Sequence, residues 1–191
     1  MLTPKELEVI SKTLSKGGII GLPTDTVYGL ACDAYNLDAI KKITDFKERD
    51  DSKHYVLQIA KLEQLKDIVA PLSEYQMNIL NKFWPGEITF IFQKSATVSL
   101  PYLHDTVGVR IPNHASTQAI LSYYKNPLVV TSLNKSGKVA ATCYKEIDNN
   151  LLKKLDYLVV EHNKGSQVAS TIVDLTKSKP TIIRQGKVVF A

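Results

Sequence analysis

A chain of 191 residues with 44% apolar and 23% charged residues has the size and composition of one globular domain, and folding buries roughly 70% of its unfolded surface. Its net charge of +5 suits phosphate-bearing ligands or nucleic acid without demanding either. No apolar run approaches the length of a membrane span, and residues 1–6 lack the basic stretch and apolar core of a secretion signal.

Thr3-Pro4-Lys5-Glu6 has the form of a capping box with proline at the first helical position. Leu7, Ile10 and Leu14 follow at helical spacing, and Gly17-Gly18 ends that helix. Residues 19–22 read as a buried strand that stops at Pro23 and empties into Thr24, Asp25, Thr26, Tyr28 and Gly29. Such a strand end fits either a ligand site or an ordinary strand–turn–strand. Asn36 can cap a second helix with Leu37, Ile40, Ile43 and Phe46 inward, running into the charged stretch 47–53. Residues 54–60 read as a strand with Tyr55, Leu57 and Ile59 on one face.

Amphipathic helices are expected over 62–69 and 73–83, the second ended by Trp84-Pro85-Gly86. Strands follow over 88–93 and 107–111, a helix over 114–124 and an apolar strand over 127–132. Residues 146–155 read as helical, and 157–161, 171–175, 181–184 and 188–190 as strands. This order implies an α/β domain with a large mixed sheet and helices packed on it. Strict βαβ alternation, Gly-x-Gly-x-x-Gly and a Walker motif are all absent from the sequence. Cys32 and Cys143 share no metal-type spacing and read as reduced thiols in a cytoplasmic protein.

Lys47, Arg49 and Lys53 fit either a solvated basic surface or an anion site. Arg110 and Arg184 sit in or at the tip of strand-like segments, where an arginine is costly unless paired with an anion. If residues 129–132 are extended, Ser132 and Asn134 offer a hydroxyl and an amide on one side, although Asn-Lys-Ser-Gly is equally a good turn. Ser170 precedes a strand and serves either a ligand or its own backbone. The four histidines are scattered, and neither a hydrolase triad nor zinc-type spacing is present.

Seven stretches then fall in register: Pro23-Thr-Asp-Thr-Val-Tyr-Gly-Leu30, Lys47-x-Arg49-x-x-x-Lys53, Trp84-Pro-Gly86, Thr106-Val-Gly-Val-Arg-Ile-Pro112, Thr131-Ser-x-Asn-x-Ser-Gly137, Ser170-Thr-Ile-Val-Asp174 and Arg184-x-Gly186. In that order they resemble the YrdC/TsaC family of threonylcarbamoyl-AMP synthases over nearly the whole chain. The resemblance implies a single YrdC-like domain over residues 1–191, with an open, twisted mixed sheet, flanking helices and a concave basic cleft. It implies that L-threonine, bicarbonate (or CO2) and ATP, with Mg2+, give threonylcarbamoyl-adenylate and pyrophosphate. A downstream threonylcarbamoyl transferase then modifies tRNA; whether tRNA touches this chain is left open.

By motif position, Thr26, Gln58, Arg110, Ser132 and Ser170 would hold L-threonine, with Arg110 forking onto its carboxylate. Lys47, Arg49, Lys53, Thr106, Asn134, Thr142 and Arg184 would hold ATP, with Lys47 and Arg49 catalytic. Metal ligands are not identified. Asp50 and Asp51 stand where relatives carry proline after the Lys-x-Arg pair, and Leu133 replaces an alanine and is expected to crowd the turn. The chief alternative is a non-catalytic RNA-binding module using the same surface, although aromatic residues interleaved with Lys and Arg are missing. Carbamoyl transfer from or to another substrate is a third reading.

Overall fold

The computed structural model describes residues 2–48, 55–162 and 165–191. Helix α1 (Pro4–Ser15) starts at the anticipated capping box: Thr3 Oγ1 accepts from the Glu6 amide, and Glu6 accepts from the Thr3 amide at 2.7 Å. Strands β1 (Ile20–Leu22) and β2 (Gly29–Asp33) follow, then α2 (Leu37–Lys47), capped by Asn36. Next come β3 (Val56–Gln58), α3 (Glu74–Phe83), β4 (Ile88–Gln93), β5 (Thr106–Arg110), α4 (Ala115–Tyr124) and β6 (Leu128–Ser132). Short α5 (Asn149–Leu152), β7 (Tyr157–Leu158), β8 (Thr171–Asp174) and β9 (Thr181–Arg184) complete the described chain.

The described strands form one mixed sheet in the order β7-β1-β2-β6-β3-β5-β4-β8-β9. Pairs β1/β7, β3/β5 and β4/β8 are parallel and the others antiparallel. Alternation along each strand sorts the side chains to two faces. Leu30, Cys32, Leu57, Phe90, Phe92, Val107, Val109 and Val173 share one core with Ile40, Ile43 and Phe46 of α2 and Ile79 and Leu80 of α3. On the opposite face Ile20, Leu22, Ala31, Leu128 and Val130 pack with Ile10 and Leu14 of α1 and Ile120 and Leu121 of α4. Each such fully buried side chain stabilises the fold by about 2 kcal/mol. On that second face α1 and α4 cover only the β1–β2–β6 end. Beyond β6 it is left open, and the functional cavity lies there.

Several expectations need correction. Leu37 is 52% exposed, because it opens the first turn of α2 and only Ile40, Ile43 and Phe46 reach the sheet. Residues 62–69 form a 3-10 turn (Leu62–Asp67) rather than an α-helix, since Pro71 leaves too little chain to complete α-helical turns. Of 146–155 only Asn149–Leu152 is α-helical, started by the Asp148 cap. Residues 188–190 are not a strand; Phe190 instead packs against Phe83 in a tilted contact and against Phe90 edge to face, at 5.1 and 6.1 Å between centroids. Leu133 is 1% exposed in the core and does not crowd the turn. The expectations for Arg49, Asp50, Asp51, Lys53 and His54 lie outside the described residues.

Candidate functional site: a polar cavity on the open sheet face

A cavity of about 590 Å³ occupies the uncovered face. Two rows of side chains cross it from strand to strand. One is polar, setting Gln58 against Arg110, Thr89 against Ile172, and Ile172 against Arg184. The other is largely apolar, with Val130 against Val56, Val56 against Gly108, Gly108 against Ile91 and Ile91 against Asp174.

Arg110, 4% exposed, ends β5 and is held on three sides. Its Nε donates to the Gly86 carbonyl at 2.9 Å, Nη1 to Thr26 Oγ1 at 3.0 Å, and Nη2 to the Asp25 carboxylate. The second Asp25 oxygen accepts the Asn113 amide at 2.9 Å. Asp25 thus supplies the anion that an arginine in an apolar strand requires. The Thr24 hydroxyl donates to the Val27 carbonyl at 2.7 Å, so in the 2.8 Å contact between Thr24 and Thr26 the proton belongs to Thr26. Thr26 Oγ1 therefore donates once, accepts once from Arg110, and keeps one lone pair for a donor in the cavity.

Arg184 reaches back over the start of β8. Its Nε and Nη2 donate to the Ser170 carbonyl at 3.0 and 2.8 Å, and Nη2 also to Ser170 Oγ at 3.2 Å. Ser170 Oγ meets Thr89 Oγ1 at 2.9 Å. Burial, then the nearby charge of Arg110, pulls the Arg184 guanidinium below its ordinary pKa. Asp25 pairs with Arg110, whereas Arg184 has no carboxylate partner among the described residues. Gly186 makes this arrangement possible, because a Cβ there would stand 2.4 Å from the Ala169 carbonyl oxygen and 2.6 Å from the Thr171 nitrogen.

Lys47, 3% exposed, closes the β6 end. Its ammonium donates to the Ser132 and Asn134 carbonyls at 2.5 and 3.0 Å and to Asn134 Oδ1 at 2.7 Å. Ser132 Oγ donates to the same Oδ1 at 2.7 Å. Gln58 is 3% exposed on the cavity wall, and its Oε1 has no hydrogen-bond partner among the described residues. Thr26, Gln58, Thr106, Arg110, Ser132, Ser170 and Arg184 all line the cavity, whereas Lys47 and Asn134 stand behind Ser132. Thr142 is off the wall, giving its hydroxyl to Glu146 at 2.7 Å. Sequence reasoning gave no site role to Thr89, Gly108 and Asp174, and it placed Asp25 in the polar strand end without pairing it to Arg110. The signal for Asp25 was present, since the charge of Arg110 in an apolar strand calls for a carboxylate nearby.

The described strands form a nine-stranded mixed sheet with one face partly open over hydroxyls and guanidiniums, which defines an α/β domain with a polar cavity on that face. The Sua5/YciO/YrdC family model, described as telomere recombination, matches residues 12–186, and the chain belongs to that family. It is 31% identical over 186 residues to the threonylcarbamoyl-AMP synthase of Vibrio campbellii, covering 95% of this chain and 100% of that one. Against the threonylcarbamoyl-AMP synthase of Pyrococcus abyssi it is 28% identical over 183 residues, 95% of this chain and 54% of the relative. For the Bacillus subtilis enzyme the values are 30% identity, 91% and 51%, so the chain spans about half the length of these two relatives. Pyrococcus abyssi Sua5 complexed with L-threonine superposes with a TM-score of 0.91 at 28% identity, over 97% of this chain and 55% of that one. Escherichia coli YciO gives 0.85 at 26% identity, over 95% and 90%.

Proposed function

We propose that this chain makes threonylcarbamoyl-adenylate from L-threonine, bicarbonate and ATP. The observation that carries the reading is that Thr26, Arg110, Ser170 and Arg184, from four separate stretches, meet in one cavity and are joined there by hydrogen bonds from the two guanidiniums. The names of the relatives and the L-threonine complex of Pyrococcus abyssi Sua5 support it.

The amino acid's carboxylate lies against the remaining N–H groups of Arg110, with Ser132, Ser170 and Gln58 around it. The free lone pair of Thr26 Oγ1 accepts an N–H of the amine. Two guanidiniums nearby disfavour an ammonium, keeping that amine neutral and nucleophilic. Its nitrogen attacks the carbon of bicarbonate and water leaves, giving a carbamate. A carbamate oxygen then attacks the α-phosphorus of ATP, the bond to the β-phosphate oxygen breaks, and pyrophosphate departs. Such chemistry rests on positioning and charge neutralisation, so no dedicated general base is required.

Lys47, Thr106, Asn134, Thr142 and Arg184 are assigned to ATP, with Arg49 and Lys53 from outside the described residues. Among the described residues no group of three His, Cys, Asp or Glu side chains could cage a metal. No residue is therefore assigned to Mg2+, and no step is routed through it. The product is consumed in the cytoplasm by a threonylcarbamoyl transferase that modifies tRNA. Pyrophosphate release by the purified chain tests the reading: it should require both L-threonine and bicarbonate, and release indifferent to either would overturn it.

A further inference from the structure

The apolar row carries a feature that packing does not explain. Gly108 lies in the middle of β5, where glycine weakens a strand and often marks close approach by a ligand. A Cβ at Gly108 would make only ordinary contacts, 3.5 Å to Val56 Cγ2 and 3.6 Å to Thr89 Cγ2, so no neighbour requires its absence. The missing side chain instead leaves a flat floor between Val56 and Ile91. The row ends on Asp174, opposite Ile91. One Asp174 oxygen accepts the Thr176 amide at 2.8 Å, which fixes the carboxylate. The other has no hydrogen-bond partner among the described residues and is left for the cavity that Asp174 lines.

We propose that this row seats the purine base of the nucleotide substrate, lying flat over Gly108 and Ile91, with Asp174 accepting a hydrogen bond from the exocyclic 6-amino group. The inference rests on the nucleotide-dependent reading given above and adds to it the residues that read the base. A carboxylate is a poor neighbour for phosphates, and the layout keeps the two apart. Asp174 on β8 stands four strand spacings from β6, roughly 19 Å at about 4.8 Å each. The triphosphate then extends toward the β6 end, where Lys47 stands. The α-phosphorus passes beside Arg110 on the adjacent row.

Calorimetric binding of MgATP, MgITP and Mg-2′-deoxyATP to the full chain and to Asp174→Asn and Gly108→Ala tests this. The wild type should prefer ATP over ITP by at least about tenfold, because ITP sets a carbonyl against the carboxylate. Asp174→Asn keeps an acceptor for Thr176 and turns an amide donor to the base, so its preference should fall to parity or invert toward ITP. The ratio of ATP to 2′-deoxyATP should not change. Gly108→Ala should fold normally and weaken ATP by about tenfold with L-threonine affinity intact. Wild type binding ITP as tightly as ATP, Asp174→Asn retaining the ATP preference, or Asp174→Asn losing only ribose discrimination would each overturn the base assignment while the nucleotide reading stands. Wild type that binds L-threonine but no purine nucleotide would overturn the nucleotide reading and the inference with it.

Discussion

Asp25 and Arg110 form a buried ion pair, 10% and 4% exposed, that ties the loop after β1 to the last residue of β5. Through Nη1 the same guanidinium orients the Thr26 hydroxyl, and through the Asn113 amide the same carboxylate gathers the chain beyond β5. The Asp25 and Thr26 carbonyls in turn accept the Ser166 and Gln167 amides at 2.8 and 3.0 Å. Stability and ligand geometry therefore meet in one pair.

Removing the carboxylate leaves a buried cation uncompensated, which typically costs about 3–5 kcal/mol. Asp25→Ala should destabilise the chain on that scale in urea unfolding, and Asp25→Asn, which keeps an acceptor, clearly less. Both should weaken L-threonine binding by calorimetry, since the Arg110 plane is no longer fixed.

Gly186→Ala forces a methyl against the backbone around Ser170, where no flexible side chain can give way. A cost of about 1–3 kcal/mol is expected. The displaced Arg184 should release Ser170 and lower affinity for the amino acid, whereas Gly108→Ala should leave thermal stability nearly unchanged.

From a buried position Lys47 bonds the Ser132 and Asn134 carbonyls and Asn134 Oδ1, among other acceptors of that turn. Replacing it by methionine keeps the stem packed but strands those carbonyls, at about 1–3 kcal/mol for each group left unsatisfied. Lys47→Met should lower both unfolding free energy and turnover. A variant that is inactive yet fully stable would contradict this positioning role.

Burial pushes the Cys32 thiol well above its ordinary pKa, while Cys143 is only partly buried. A raised pKa depletes the thiolate, the reactive form, throughout the neutral range. Titration of the native chain with a thiol reagent at neutral pH should leave Cys32 unmodified, as mass mapping will show, and unfolding should expose both thiols.

Most of the fold could be read from the sequence where local chemistry decides the structure. Thr3-Pro4-Lys5-Glu6, the Asn36 cap and the period-two pattern of β4 and β5 each determine their own geometry. The failures fall where tertiary context decides. Residues 62–69 are periodic enough for a helix yet too short before Pro71, and 188–190 look like a strand but lie beside aromatic rings rather than a strand partner. In the site, residues with obvious ligand chemistry stood out. Asp25 was legible only as part of a polar strand end, because its partner is 85 positions away, and Gly108 did not stand out, because its significance is the space above it.

The most direct measurement incubates the purified chain with ATP, Mg2+, L-threonine and radiolabelled bicarbonate and separates the nucleotides. A labelled adenylate that appears only with threonine, in step with pyrophosphate, is the predicted result. Pyrophosphate formed with no label entering any adenylate would contradict the account.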